Sequence, residues 1–476
     1  MGIMFIQRGG HGYHTIRVHG FLSLPLGTIV RLLATNSNEK QQQSESSPFL
    51  ENIKHLYQTV QNLNSDDVWN NNVCKQMLLH PRNPCEALCA KLFLNVEPSS
   101  KVFVCDSCNR FTTFQNLHCT CGKPINKQPK NLDSDGQGNN AQNGVFVREN
   151  GSLFLVSDDL KIVTDSLLSS VQMLIESWYP DLTQLEEVTH NIGKNEILNL
   201  LKYALTSREP LTNTILATSS KSNKKDNPPS QFASAVRALP CPSNRSKMDI
   251  KVLQTKSQKK TIIAEANEDF VDFIFSFLTM PLGSIVKLLG PNSFAGCVGN
   301  LYKSVENLDP TSVLLNPGVA HQFGCLNQPL NISEGQPPHT RYYYGTGIPN
   351  KEYSCTHFGN YETREGMIEG GVISKSRGSI YRPKSLYQLY PRSVNGSEDV
   401  IGFVKRATLY GIGDDLNVKP LSANSLLSYL KVLSLPLDDL EVKVSIGEAE
   451  ALSFLGAFLT SRFTLTSGLK RPFECA

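Results

Sequence analysis

The sequence predicts an α+β fold in two similar tandem domains, the first bearing a zinc-ribbon-like cysteine insertion. Three observations carry this reading. Residues 21–33, Phe-Leu-Ser-Leu-Pro-Leu-Gly-Thr-Ile-Val-Arg-Leu-Leu, return as residues 277–289, Phe-Leu-Thr-Met-Pro-Leu-Gly-Ser-Ile-Val-Lys-Leu-Leu, with nine of thirteen positions identical. Residues 192–212 align without a gap to residues 446–466, with eleven of twenty-one positions identical. Between these anchors, apolar residues at helical spacing alternate with short β-branched runs. A chain of 476 residues exceeds one ordinary core, and two copies account for the length. The copies are assigned to residues 1–216 and 249–471, joined by a linker over 217–248.

Composition excludes several classes. Forty-six basic against forty-three acidic residues leave a net charge of +3, without the overall footprint of a dedicated nucleic-acid binder. The most apolar run, residues 273–286, is interrupted by Pro281 and Gly283 and falls short of the roughly 20 residues a bilayer span needs. No secretory or myristoylation signal is read at the start. An intracellular protein, cytoplasmic or nuclear, without membrane insertion is expected.

The second copy opens with a hairpin, in which Lys251-Val-Leu and Thr261-Ile-Ile-Ala flank a polar turn. It continues into a helix that places Phe270, Phe273, Ile274 and Phe277 on one face. Pro281 and Gly283 break that helix, and residues 284–289 resume it. The first copy has no such hairpin; Met1 to Gly20 stand in its place and are expected to pack poorly. Residues 34–51, rich in Gln, Ser and Asn, read as a loop. Leu56, Val60 and Leu63, like Leu301, Val305 and Leu308, are spaced for one helical face. Residues 83–93 predict a helix with Cys85 and Cys89 one turn apart, a spacing that buried small hydrophobes explain better than metal ligation. Residues 145–147 and 152–156 read as strands matching 402–404 and 408–410, followed by a helix over 166–177. Ile197, Leu201, Ala204 and Leu205, and likewise Leu452, Leu455 and Leu459, read as core faces of closing helices.

Cys105-Asp-Ser-Cys108, followed after ten residues by Cys119-Thr-Cys121, is the strongest chemical signal. Four thiolates at this spacing suit tetrahedral zinc, each close pair forming one knuckle. Cys105, Cys108, Cys119 and Cys121 are therefore the predicted metal ligands, with His118 as a substitute donor. A closed four-thiolate shell leaves no position for water, so the zinc is expected to be structural. In the second copy Cys108 falls on Phe358, and only Cys355 and His357 remain, so one copy alone is expected to bind metal. Asp158-Asp159-Leu160 recurs as Asp414-Asp415-Leu416. Such pairs can serve a divalent cation or acid–base chemistry, but Asp side chains also bond nearby backbone amides in turns, and the turn is preferred. Tyr342, Tyr343 and Tyr344 beside Arg341 could stack bases but lack an evident basic groove. No phosphate-binding, zincin or nucleophile-elbow motif is found.

Taken together, Leu-Pro-Leu-Gly with its Ile-Val-Lys/Arg-Leu-Leu continuation, Asn300-Leu-Tyr-Lys-Ser-Val-Glu-Asn-Leu308, Cys74-x-x-Met-Leu-Leu-x-Pro-Arg-Asn-Pro84, Val104-Cys-Asp-Ser-Cys108 and the Asp-Asp-Leu turns resemble the plant family called domain of unknown function 674. The resemblance covers nearly the whole chain from Phe21 onward and departs from it in the first twenty residues. It implies plant origin, tandem copies and no established activity. The expected function is a non-enzymatic scaffold or protein-interaction module with a protein partner. The alternatives are a hydrolase or transferase using the Asp pairs, and nucleic-acid binding through the cysteine knuckle.

Overall fold

The computed structural model describes residues 5–7, 18–35, 47–63, 68–85, 101–132, 154–164, 190, 192–215, 247–255, 260–335, 341–347, 368–393, 400–406, 408–421 and 440–469. In chain order, the first half contributes β1 (Phe5–Gln7), α1 (Leu26–Thr35), α2 (Pro48–Asn62) and α3 (Cys74–Leu79). Five short strands follow: β2 (Phe103–Val104), β3 (Arg110–Thr112), β4 (Leu117–His118), β5 (Pro124–Ile125) and β6 (Lys130–Asn131). The half closes with β7 (Phe154–Val156), β8 (Ile162–Thr164), α4 (Lys194–Thr206) and α5 (Pro210–Ile215). The second half contributes β9 (Met248–Gln254), β10 (Thr261–Ala266), α6 (Glu268–Ser276), α7 (Leu282–Leu289) and α8 (Val298–Leu308). It ends with β11 (Tyr342–Gly347), β12 (Ile368–Ser374), β13 (Ile380–Gln388), β14 (Tyr410–Gly413), β15 (Val418–Pro420), β16 (Leu440–Ile446), α9 (Glu448–Thr460) and α10 (Thr464–Gly468).

The strands form a mixed α+β architecture. An antiparallel sheet β15-β14-β10-β9-β16 lies entirely in the second half, and a smaller one, β1-β7-β8, in the first. β1 pairs with β7, Phe5 opposite Val156, as β10 pairs with β14, Ala266 opposite Tyr410. A six-stranded sheet, β2-β3-β13-β11-β12-β6, draws strands from both halves, β3 joining β13 and β6 joining β12 in parallel.

α6 explains where the core sits. After its acidic first turn, Glu268 and Asp269, it is buried on every side, Phe270 through Ser276, with Asp272 the one carboxylate among them, as a helix with almost no polar face must be. Phe270 on α6 and Phe277 just after it pack against α9: ring centroids lie 5.7 Å apart for Phe270 and Phe454, and 5.1 Å apart for Phe277 and Phe458. One continuous apolar cluster includes residues from both halves.

The Leu24-Pro-Leu-Gly27 and Met280-Pro-Leu-Gly283 stretches meet each other. Leu26 N–H donates to Met280 O at 3.1 Å and Leu282 N–H to Leu24 O at 3.0 Å, with Pro25 facing Pro281. Such close passage requires glycine. A Cβ on Gly283 would lie 2.3 Å from Leu314 O and 3.0 Å from Leu22 O, and one on Gly27 would lie 3.0 Å from Leu78 O and 3.1 Å from Leu278 O. Helices also reach across. Asn52 on α2 donates to Phe458 O and Ser461 O at the end of α9. Beside α8, Cys297 N–H donates to Ala204 O on α4, 2.8 Å away.

The hairpin β9-β10, α6 and its continuation α7 follow the sequence expectation, and Leu56, Val60, Leu301 and Val305 are buried as their spacing requires. Four expectations change. The opening segment is engaged where it is described: Phe5–Gln7 is a paired strand, and His19 and Gly20 are buried. The polar insertion is shorter than residues 34–51, since α1 runs to Thr35 and α2 starts at Pro48, a residue pre-set for a first helical turn. Residues 402–404 form no strand, because the Asp272 carboxylate captures the amides of Phe403 and Val404 at 3.0–3.1 Å; only Val404 bridges, to Trp69. The linker ends before Met248, which is buried in β9. The helices expected over 83–93 and 166–177, the strand 145–147, the body of the linker and Cys355, His357 and Phe358 lie wholly or mainly outside the described residues.

Candidate metal centre

Two hairpins build the cysteine site. β2 and β3 pair with Phe103 opposite Thr112, and their turn carries Cys105 and Cys108; Cys105 N–H donates to Arg110 O at 2.9 Å. β4 and β5 pair with Leu117 opposite Ile125, and their turn carries Cys119 and Cys121. Cys119 N–H donates to Lys123 O and Gly122 N–H to Cys119 O, both at 2.8 Å. Gly122 takes φ +84° to complete that turn, a left-handed conformation that favours glycine. Lys123 Nζ reaches Ser107 Oγ at 2.8 Å, and Lys127 Nζ reaches Asp106 at 3.0 Å. Each of these bonds ties one turn to the other half of the site.

All four sulfurs lie within 4.8 Å of one another, with Cys105 and Cys121 Sγ 3.6 Å apart. A tetrahedron of Zn–S bonds of about 2.3 Å has edges of about 3.8 Å, so the donor set fits a zinc-sized cation. Cys105 and Cys119 are buried, Cys108 is half-buried and Cys121 is exposed. Crowding separates the thiols: hydrogen bonding to Cys121 pushes Cys108 up to about 12, and the Lys123 amide brings Cys121 down to about 7. Burial raises Cys105. His118, the substitute donor considered from sequence, is exposed on β4, and the four-cysteine group does not require it.

Both Asp-Asp-Leu turns are built alike. Asp158 accepts from Thr212 N–H at 2.9 Å and from its hydroxyl at 2.6 Å; Asp414 accepts from Thr466 N–H at 2.8 Å and from its hydroxyl at 2.7 Å. Leu160 and Leu416 both take left-handed φ, 59° and 61°, and are wholly buried. The first carboxylate of each pair is thus occupied in anchoring a helix. The second differs between halves. Asn300 on α8 donates to Asp159 at 3.0 Å, whereas His55, at the equivalent place on α2, borders with Asp415, Asn417 and Lys419 an open cleft of about 470 Å³.

One cluster escaped the sequence reading. Asp272, alone among the apolar residues of α6, is 2% exposed, and desolvation pushes it up to about 7 despite Arg392 and the amides of Val404 and Phe403. Arg392, wholly buried, donates to the carbonyls of Ile401, Gln322 and Gly324 and stacks 4.0 Å over the Phe403 ring. Cys74 and Cys325 share this environment, burial pushing them up to about 11 and about 12. The available signal was a lone carboxylate inside a continuous apolar helix, since a buried charge demands partners.

Fold and site define the chain as a mixed α+β protein with a four-cysteine cluster able to hold a metal. It belongs to the family described as Protein of unknown function (DUF674), whose model matches residues 18–449. No curated protein and no solved structure matches the chain. No helix among the described residues is long and apolar enough to cross a membrane.

Proposed function

We propose that the chain is a non-enzymatic scaffold of two tandem homologous domains, 1–216 and 249–471, in which Cys105, Cys108, Cys119 and Cys121 hold one structural zinc. The convergence of four sulfurs at the tips of two hairpins is the observation that carries this reading. Four protein thiolates close a tetrahedral shell, so the metal would tie the two-stranded ribbon β4-β5, too short to hold itself, to the β2-β3 turn of the larger sheet. The zinc-ribbon-like description rests on the same two knuckles. A reducing intracellular setting suits a site built from four thiols.

Duplication is supported by devices that recur at matched positions. The Asp–Thr anchor, the left-handed leucine and the glycine amide that donates to a glutamate, Gly193 to Glu196 and Gly447 to Glu450 at 2.9 Å, each occur in both halves. The same anchors argue against catalysis by the Asp pairs, because a carboxylate already accepting two hydrogen bonds has poor access to a substrate proton. Native mass spectrometry of the full chain tests the metal reading. One zinc per chain, lost when Cys105 and Cys119 are replaced by serine, is expected; none, or two, contradicts it.

A further inference from the structure

We infer that the six-stranded sheet is a docking face for single-stranded nucleic acid, beyond the structural role proposed for the zinc. Net charge conceals this surface. The described residues that build the sheet and its ribbon, 101–132, 341–347 and 368–390, hold ten Lys or Arg against two Asp or Glu, a local charge of +8 in a chain whose total is only +3. The remainder of the chain therefore carries −5 on the same count. Folding gathers cations that the sequence separates by more than two hundred positions.

Aromatic placement gives the charge a specific meaning. Tyr387 is 68% exposed on β13, and the parallel pairing sets it in register with Arg110 on β3, two residues from Cys108. Ser385, on the same face of β13, lies opposite half-exposed Tyr343 on β11. Residues paired in register share a face, so Arg110, Tyr387 and Tyr343 form a row across three adjacent strands. Arg341, two positions before Tyr343 at the start of β11, is exposed and extends the row. An exposed ring flanked by a guanidinium is a stacking platform for a base, with cations placed to follow a phosphate backbone. An acidic protein segment would satisfy the charge but leave the ring without a stacking partner.

Fluorescence anisotropy of the full chain with labelled 20-nucleotide single strands of mixed-sequence RNA and DNA, at 50–300 mM NaCl, tests the inference. Binding that weakens linearly in log salt is expected. Replacing Arg110 and Arg341 together by alanine should lower the slope by roughly 1.4, about 0.7 for each phosphate of the single strand that is no longer neutralised. Tyr387→Ala should weaken binding roughly tenfold and leave the slope unchanged, because stacking releases no counterions, while Tyr387→Trp should retain affinity. Lys419→Ala, on β15, serves as the control and should have no effect. Three outcomes overturn the inference: no binding at 50 mM NaCl, indifference to Tyr387→Ala, or displacement of the strand by polyglutamate at equal charge concentration, which would assign the face to an acidic protein. Circular dichroism of each variant separates impaired binding from impaired folding.

Discussion

Replacing His19 by phenylalanine should make the protein more stable, and increasingly so as the pH falls. His19 stands 256 positions before Phe275, the same interval that separates Phe21 from Phe277. Phe275 is wholly buried, its ring 5.8 Å from that of Trp69. His19 is 1% exposed, but both its ring nitrogens are buried without a hydrogen-bond partner. Burial alone lowers its pKa from 6.5 to about 4. The folded state therefore takes up the proton less readily than the unfolded chain. Stability is unaffected by this group above about pH 6.5 and is lost as the pH falls toward 4, where the 2.5-unit difference amounts to about 3 kcal/mol. With unfolding entropy of about 1 kcal/mol per kelvin for 476 residues, that is a shift of about 3 °C in Tm. Melting curves of wild type and His19→Phe between pH 4 and 8 supply the measurement. Asp272, pushed up to about 7 by burial, contributes in the opposite sense, its stabilisation being lost as the pH rises, but it is common to both proteins and cancels in the difference. A gap between the two Tm values that stays constant or narrows below pH 6.5 would refute the reasoning.

Three further outcomes follow from the geometry. Gly283→Ala should cost about 3 kcal/mol and Gly27→Ala about 1 kcal/mol in chemical denaturation, because the added methyl would meet backbone oxygen at 2.3 Å in one case and 3.0 Å in the other; equal costs would contradict the asymmetry. Asp158→Asn and Asp414→Asn should each destabilise by about 1–3 kcal/mol through weakened bonds to Thr212 and Thr466, and each should leave the bound-metal content unchanged in elemental analysis. Chelation of the metal should abolish amide-exchange protection at Cys119 and Gly122 while leaving α6 and α9 protected; protection that persists in the ribbon would show that the thiols need no metal.

The sequence made the repeated elements legible because each is a local pattern. The apolar face of α8 can be counted along the chain, and the cysteine spacing names both knuckles without knowledge of the fold. What it could not show depends on partners remote in sequence. Asp272 looks out of place in α6 until the amides of residues 403 and 404 arrive to meet it. Those same bonds explain why residues 402–404, which read as a strand, form only a bridge. The six-stranded sheet was illegible for a related reason: β3 pairs with β13 across more than 270 positions, and no periodicity within either segment records that partnership. The charge of the sheet was hidden in turn, since a sum over the whole chain averages it away.

The halves are interlocked, not merely adjacent, and this bears on which residues give the chain its own character. Asn52 seals the end of α9, Cys297 the end of α4, and the stretches 24–27 and 280–283 complete each other's backbone hydrogen bonding. Neither half can satisfy these groups alone, so packing constrains both halves together. Positions where the aligned segments of the two halves differ are then the informative ones. His55 in place of Asn300 leaves a cleft beside Asp415 where its counterpart is closed by hydrogen bonds to Asp159. The cysteine ribbon grows from the first half but extends a sheet whose central strands belong to the second. A metal bound in one half would thereby fix the edge of a sheet supplied mainly by the other, so that the proposed docking face would depend on both halves without requiring a second metal site.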